Sequence, residues 1–139
     1  MTLLAPSPTE LLSAADELLS APRPASAGWW PTAVALLTRQ ALERSMESLW
    51  LKKAPQVAGA SKRAQLLCLR SFVDRSLALR ADAAWTALSR ACHDHPYELA
   101  PTAGELATWF ETTEALVREI RRAEQGSKPA PPAVAGGQA

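Results

Sequence analysis

The chain has 139 residues, a formal net charge of +1 and an apolar fraction of 47%. This length suits one domain with a real core and is too short for two. Because the net charge is close to zero, no global field draws the protein to nucleic acid or to a membrane surface. Any site for a polyanion must therefore be local.

The cysteines and the hydropathy of the chain indicate in which cellular compartment the protein is expected. Cys68 and Cys92 have no CxxC spacing, so we interpret them as small core residues of a reduced, cytoplasmic protein, with a disulfide as the alternative. No apolar run approaches the roughly 18 residues that a membrane span requires. The N-terminus has neither the basic start nor the apolar run of a signal peptide. We therefore expect a cytoplasmic protein without membrane attachment.

Two amphipathic helices are predicted first. Ser7-Pro8-Thr9-Glu10 is a capping box with a proline in the first turn, and Ala21-Pro22-Arg23-Pro24 ends this helix. A second helix is expected from about Trp30 to Lys53, where Ala54-Pro55 stops it. Their apolar faces comprise Leu11, Leu12, Ala15, Leu18 and Leu19, and then Trp30, Val34, Leu37, Ala41, Leu42, Met46, Leu49 and Trp50.

Three more helices are predicted in the second half. Gln56 to Ala60 is expected to be a small-residue loop, after which a short helix begins near Ser61. Asp74 is the N-cap of a fourth helix, and Thr102 to Glu105 forms a capping box for a fifth. Their apolar faces comprise Leu66, Leu67, Leu69 and Phe72, then Leu77, Ala81, Ala84, Trp85, Leu88 and Cys92, and finally Leu106, Trp109, Phe110, Thr113, Leu116, Val117 and Ile120.

These patterns predict an all-α fold, because no segment alternates as a strand does. We expect an up-and-down bundle of four to five helices. Residues 1–25 form an N-terminal helical arm, and residues 26–123 form the bundle. The Pro/Ala/Gly-rich residues 124–139 are expected to be a disordered tail.

Charged residues on two helices have a plain interpretation and a functional one. Arg39 and Glu43 are an i,i+4 pair in the less favourable order, on a face that we interpret as solvated. Lys62, Arg63 and Arg70 make the third helix basic. Such a face is usually solvated, although it can also contact a phosphate backbone.

The segment from Arg90 to Tyr97 holds the candidate functional residues. It combines an arginine, which is always charged, with two histidines that exchange protons near neutrality and a tyrosine hydroxyl. Residues five apart in a continuous helix lie about 140° apart around its axis, so Arg90 and His95 converge only if the helix ends between them. Pro96 disfavours helical geometry at His95, which predicts a helix end close to His93 or Asp94. Two converging cations favour an anion such as a phosphate between them.

On residue types alone, a plainer interpretation is favoured. In that interpretation His95 ends the helix, Arg90 pairs with a carboxylate such as that of Asp94, and Tyr97 packs with its hydroxyl in water. A zinc site within the segment lacks the ligand spacing of structural zinc sites, so no metal and no other cofactor are predicted.

Arg90-x4-His95 at the end of a long helix, in a domain of four to five helices, resembles the HEPN superfamily. With Tyr97 the motif resembles the R-x4-H-x-Y form of HEPN toxins that are encoded beside a minimal nucleotidyltransferase antitoxin. Arg39-Gln40-Ala41-Leu42-Glu43 is similar to a segment common on an early helix of HEPN proteins. The resemblance covers roughly residues 29–122.

The resemblance implies a metal-independent endoribonuclease, since many HEPN members are such enzymes and often act as toxins or in defence. Arg90 and His95 match the two catalytic positions. The ribose 2′-OH attacks the adjacent phosphorus, while Arg90 neutralises charge on the phosphoryl oxygens and His95 acts as base or acid. One histidine cannot do both at once, so we expect a homodimer that places two motifs in one cleft, as is usual in the family.

The resemblance also implies regulation and supporting roles. Tyr97 matches the tyrosine that the antitoxin can modify with AMP, and simple packing of this side chain is the alternative. HEPN nucleases often have Asn, Asp or His directly after the arginine, where this chain has Ala91. The polar role would then pass to His93 or Asp94.

Three functional hypotheses follow. The first is the HEPN ribonuclease, with RNA as substrate, a second copy of the chain as partner and Arg39 and Glu43 in support. The second is a catalytically inactive HEPN-like module that binds RNA, a nucleotide or a protein. The third is a purely structural bundle in which Arg90 is held in a salt bridge.

Overall fold

The computed structural model describes residues 5–20, 28–93 and 99–126. These residues form six α-helices and one 3-10 helix and contain no strand, which confirms the expected all-α bundle. None of these helices combines the length and the apolarity needed to cross a membrane. The elements are α1 (Pro8–Ser20), α2 (Trp30–Lys53), α3 (Pro55–Ala58), α4 (Lys62–Cys68), the 3-10 helix Leu69–Ser71, α5 (Arg75–Ala91) and α6 (Ala103–Gln125).

Side-chain caps begin four of the helices. The caps at Ser7, Asp74 and Thr102 were predicted, whereas only a helix start was predicted near Ser61. Ser7, Ser61, Asp74 and Thr102 each accept a hydrogen bond from the backbone N–H three residues later, at 3.1, 3.2, 2.8 and 3.1 Å. Glu105 Oε1 accepts the backbone N–H of Thr102 at 3.0 Å and completes the capping box. These bonds satisfy donors that the first turn of a helix leaves unpaired.

The central element is α2, whose broad apolar face contacts α1, α5 and α6. Its second half packs with α4, the start of α5 and the end of α6 in one core cluster. Its first half packs with α1, the end of α5 and the start of α6 in a second cluster. Leu11, Leu12 and Ala15 of α1 are buried in that second cluster. The first helix therefore shares the core of the bundle.

The connection after α2 differs from the prediction. Instead of a loop over Gln56 to Ala60, the chain makes one helical turn, α3. The buried Gln65 amide on α4 donates to the carbonyl oxygens of Ala58 and Ala60 at 3.1 and 2.9 Å, which holds this turn in place. Leu67, predicted on the apolar side, is exposed because Leu66 and Leu69 occupy the core positions.

The end of α6 is held against the second half of α2. Glu124 Oε1 accepts a hydrogen bond from Ser48 Oγ at 2.7 Å and lies 3.3 Å from Lys52 Nζ. Lys53 Nζ donates to the carbonyl oxygen of Gly126 at 2.9 Å. As a result α6 extends to Gln125, past the predicted start of the tail at Glu124. Residues 127–139 lie outside the described part of the chain.

A bidentate ion pair joins α5 to α6. Arg80 Nη1 and Nη2 donate to the two carboxylate oxygens of Glu119 at 2.8 and 3.0 Å. These bonds lower the pKa of Glu119 below its ordinary value, although burial opposes the effect. The pair fixes the register of α5 against α6, and through it the position of the last turns of α5.

We predict that Glu119→Gln destabilises the protein near pH 7 by roughly 0.5–1 kcal/mol, since both side chains are about a third or more exposed and water screens the pair. A carboxylate with a lowered folded-state pKa contributes stability above its unfolded pKa, near 4.3 for glutamate, and loses it as the pH falls through the folded value. The difference in unfolding free energy from the wild type should therefore shrink as the pH falls below the unfolded pKa and through the lowered folded pKa of Glu119.

Urea unfolding at several pH values measures this difference. Glu114→Gln on the same helix is the control, because Glu114 has only an exposed i,i+4 contact with Arg118 at 3.7 Å. The assigned role of the ion pair is wrong if the two variants lose the same free energy of unfolding, or if the loss in Glu119→Gln does not depend on pH.

Candidate functional site

The candidate site begins where α5 ends. The helix stops at Ala91 with Cys92 as its C-cap, and the Cys92 N–H donates to the carbonyl oxygen of Leu88 at 3.1 Å. The His93 N–H donates to the carbonyl oxygen of Arg90 at 3.2 Å, which closes a final turn. The helix therefore ends between Arg90 and His95, as predicted, although slightly earlier than the expected end near His93 or Asp94.

Arg90 and His93 line one wall of an open groove of about 740 Å³. This volume lies within the range of small-molecule and nucleotide sites, roughly 300–1,000 Å³. Both side chains are exposed. The motif arginine and the first motif histidine therefore face the same space, and Ala91 between them also contributes to the lining.

One exposed stripe of α5 forms the long wall of the groove. Successive residues of this stripe are three or four positions apart, a spacing that keeps side chains on one side of a helix. Its members before Arg90 are Leu79, Asp82, Ala83, Thr86 and Ala87. The small alanines keep this wall shallow, whereas Asp82 and Thr86 give it polar atoms.

The groove is also lined by residues at the start of α2, in the first turns of α6 and in the segment before α6. Gly28, Pro31 and Thr32 line it at the start of α2. Glu105 and the half-buried Trp109 line it on α6, next to Leu99, Ala100 and Pro101. Arg63 of α4 also lines the groove, next to Asp82.

The charges in the groove are balanced. Arg63 and Arg90 are cationic, whereas Asp82 and Glu105 are anionic, so the formal charge is zero when His93 is neutral. Glu105 is engaged in the capping box of α6. Asp82 Oδ1 lies 4.0 Å from Arg63 Nη1 and accepts a hydrogen bond from Thr86 Oγ1 at 3.4 Å. The groove is therefore not a uniformly basic channel.

Arg39 and Glu43 are not part of this groove. Arg39 Nε lies 4.0 Å from Glu43 Oε2, and the indole N–H of Trp85 donates to the same oxygen at 3.0 Å. Both charged side chains are mostly buried, with about a fifth of their surface exposed. The interpretation as a solvated face is therefore wrong, because Trp85 of α5 covers the pair.

This buried pair also acts on Cys92. Burial raises the pKa of the Cys92 thiol, while the charge of Arg39 lowers it and that of Glu43 raises it. Arg39 and Glu43 thus influence the end of α5 from a side other than the one that faces the groove. Neither residue lines the groove, so neither is placed to contact a ligand bound there.

Several predicted site residues lie outside the described part of the chain. Asp94, His95 and Tyr97 are among residues 94–98, so the convergence of His95 with Arg90 stays a prediction. Cys68 and Cys92 are both free thiols in the structure. Within residues 5–20, 28–93 and 99–126, no three side chains of the metal-binding types converge.

Sequence reasoning missed four groove residues: Asp82, Thr86, Glu105 and Trp109. The sequence did indicate two of them, because Asp82, Thr86 and Arg90 are four residues apart and therefore lie on one side of α5. Arg63 was noted only as part of a basic face. Its place in the groove depends on how α4 packs against α5, which local patterns do not determine.

We predict opposite shifts in Cys92 reactivity when its two charged neighbours are removed. Arg39→Met should raise the thiol pKa further, and Glu43→Gln should lower it, because a nearby cation favours the thiolate and a nearby anion disfavours it. The pH dependence of alkylation in a Cys68→Ala background measures both changes. Arg121→Met, which removes an exposed cation on α6, is the matched control. If the two variants shift the pKa of Cys92 in the same direction, or do not shift it, the placement of Arg39 and Glu43 near Cys92 is wrong.

Comparison of the chain with protein-family models, with curated proteins and with solved structures finds no match to any of the three.

Proposed function

We propose that this protein is a metal-independent endoribonuclease of the HEPN type, which cleaves RNA in the groove beside the end of α5. The observation that supports the proposal most is the position of Arg90. It is exposed in the last turn of α5 and shares the groove with His93, and the helix ends before His95. An R-x4-H site requires this break, since a continuous helix would turn the two side chains apart.

The proposed chemistry uses only groups of the substrate and of this chain. The ribose 2′-OH loses its proton to a histidine and attacks the adjacent phosphorus. The P–O5′ bond breaks, which leaves a 2′,3′-cyclic phosphate and a 5′-OH that takes a proton from an acid. Arg90 stabilises the negative charge that builds on the phosphoryl oxygens. His95 moves a proton, and His93 or Asp94 takes the polar supporting role.

A second copy of the chain completes the proposed enzyme. A single imidazole cannot be base and acid in the same step, whereas a two-fold dimer brings two motifs to one cleft. We propose that the enzyme is the toxin of a toxin–antitoxin or defence pair, with a minimal nucleotidyltransferase as a possible antitoxin.

The balanced charge of the groove favours a second candidate function. A polyanion gains little long-range attraction from a groove in which Arg63 and Asp82 nearly cancel. The mixture of apolar side chains and opposite charges in the lining suits a module that binds RNA, a nucleotide or a protein without cleaving it. Binding that survives in Arg90→Ala, without cleavage by the wild type, would favour this alternative.

We predict that Arg90→Ala and His95→Ala each lower the rate of RNA cleavage by roughly 100-fold or more, the usual effect of removing a charge-stabilising group or a general acid–base. The measurement is cleavage of a labelled single-stranded RNA by purified protein in the presence of a chelator, which should not slow the wild type. Arg121→Ala, which removes an exposed arginine of α6, is the matched control and should keep full activity.

Product chemistry and growth provide further tests. The cleaved RNA should carry a cyclic phosphate and a 5′-OH, and expression of the wild type should arrest growth while the two variants do not. If Arg90→Ala and His95→Ala behave like the wild type in both assays, the nuclease proposal is wrong.

The antitoxin proposal concerns Tyr97. AMP on its hydroxyl would place bulk and negative charge against Arg90 and His95 and block an incoming RNA phosphate. We predict that co-expression with a neighbouring nucleotidyltransferase adds the mass of one AMP, and that Tyr97→Phe abolishes the gain. Intact-mass spectrometry gives the answer, and an unchanged mass of the wild type would count against the proposal.

A further inference from the structure

Three exposed arginines lie on the segment that runs from α4 into α5. Arg63 is in the first turn of α4, Arg70 is in the 3-10 helix that follows it, and Arg75 is the first residue of α5. By contrast, α1 in the other half of the bundle carries three carboxylates and no cation. The small net charge of the chain therefore conceals a separation of charge between the two halves of the bundle.

These arginines lie on a helical hairpin at one end of the groove. Arg63 lines the groove, with its Nη1 4.0 Å from Oδ1 of Asp82 on α5. Between the two helices the chain turns tightly, since the Val73 N–H donates to the carbonyl oxygen of Leu69 at 3.1 Å. Because their residues also meet at Arg63 and Asp82, α4 and α5 run back from this turn side by side. We call Arg63, Arg70 and Arg75 the hairpin arginines.

Helical spacing extends the groove wall toward the turn of this hairpin. On α5, Arg75 precedes the lining residue Leu79 by four positions, and Leu79 precedes Asp82 by three. On the α4 side, Arg70 follows Arg63 by seven positions, which is about two turns. Residues at these intervals lie on one side of a helix. Both arginines therefore continue the side of their helix that lines the groove.

The hairpin arginines are available to a ligand. Arg70 and Arg75 are exposed, and within the described residues neither has a carboxylate at ion-pair distance. Arg63 is 74% exposed, so water screens its long contact with Asp82. The carboxylate of Asp74, next to Arg75 in the chain, is used as the N-cap of α5. An added anion would therefore find guanidinium groups that no internal ion pair holds tightly.

An extended polyanion fits the distance between these arginines and Arg90. Arg75 and Arg90 are both on α5, 15 positions apart in the sequence, which corresponds to roughly 22 Å along the helix axis. Phosphates of a stacked strand are about 3.4 Å apart along its axis, so about six nucleotides span this distance. The planar guanidinium of arginine binds two phosphate oxygens at once. A single strand of nucleic acid can therefore contact Arg90 and the hairpin arginines together.

Exposed leucines accompany the hairpin arginines. Leu67, between Arg63 and Arg70, is 60% exposed, and Leu79, one turn after Arg75, is 47% exposed. Cations beside apolar side chains also occur on helices that bind anionic membranes. Such a helix lies flat on a bilayer, whereas Arg63 and Leu79 line a groove. The concave surface favours a strand over a bilayer.

We infer that the hairpin arginines Arg63, Arg70 and Arg75 bind the phosphate backbone of single-stranded RNA whose cleaved phosphate lies at Arg90. The inference deepens the proposed function and rests on it for the role of Arg90. Phosphate contacts position a strand without reading its bases. The hairpin arginines should therefore determine the length of RNA that the protein holds and not its sequence.

Binding of non-cleavable RNA tests the inference without relying on catalysis. The probes are 2′-O-methyl oligouridines of four and twelve nucleotides, and fluorescence anisotropy gives their affinities. Only the longer probe spans Arg90 and the hairpin arginines. Its affinity should fall more steeply with salt, by roughly 0.7 in the slope of log affinity against log salt for each added phosphate contact. The slope decides, because a longer strand also gains affinity simply by offering more positions at which to bind.

The double variant Arg70→Gln with Arg75→Gln should lower the slope for the longer probe by roughly 1.4, which is 0.7 for each lost contact. The double variant Arg118→Gln with Arg121→Gln is the matched control. It removes the same charge from exposed positions of α6 outside the groove and should keep the wild-type slope. An unchanged slope in Arg70→Gln with Arg75→Gln, or equal losses in the two double variants, would overturn the inference.

Vesicles of phosphatidylcholine and phosphatidylserine test the membrane alternative. If the protein binds these vesicles through Arg70 and Arg75, while its RNA binding does not depend on them, the surface contacts membranes and the inference is wrong. RNA binding that depends on both arginines, without vesicle binding, supports it.

Cleavage separates this inference from the proposed function. If the wild type cuts RNA with dependence on Arg90, but equally well with short RNA and in Arg70→Gln with Arg75→Gln, the inference is wrong and the nuclease stands. If the wild type binds the longer probe through Arg70 and Arg75 but cuts no RNA, the binding surface stands and the nuclease proposal is wrong.

Discussion

The burial of one stripe of α5 against α2 and α6 is the constraint on which the site depends. Leu77, Ala81, Ala84 and Leu88 are buried, and Arg80 binds Glu119 at the side of the same contact. A helix has 3.6 residues per turn, so burying one stripe determines which residues face outward. The stripe through Asp82, Thr86 and Arg90 is thereby directed into the groove. Its orientation is a consequence of core packing, and a change in that packing would rotate the whole site.

The end of α5 is the second determinant of the site. Arg90 is still helical, so its backbone is rigid and its direction is fixed by the bundle. His93 is already beyond the C-cap Cys92, and the chain can turn there. In the proposed function, Arg90 on the rigid helix and a histidine beyond the helix end would approach one anion from different directions. The pair Arg39 and Glu43 strengthens this end indirectly, since Trp85 is hydrogen-bonded to Glu43 and anchors the preceding turn of α5.

The balanced charges of the groove affect both functional proposals. A nuclease that relied on nonspecific attraction would need a basic channel, and neither the net charge of +1 nor the groove provides one. In the proposed nuclease, affinity would then come from specific contacts, such as that of Arg90 with a phosphate. Such a site loses less affinity with added salt than a basic channel does, because fewer counterions are released. A selective enzyme or a selective binding module is consistent with this arrangement.

The sequence by itself determined the helices, their caps and most of the core. Asp74 and Thr102 with Glu105 predict helix starts through local hydrogen bonds, and the apolar spacing predicts the buried faces because both depend on neighbours within a few residues. The turn α3 was missed since it is held by Gln65, a residue from the next helix. Only the tertiary structure decided that Arg63, Asp82, Glu105 and Trp109 share one groove with Arg90, and that Arg39 and Glu43 do not. Those relations join residues far apart in the chain, and they depend on how the helices are rotated against one another, which periodicity within each helix does not specify.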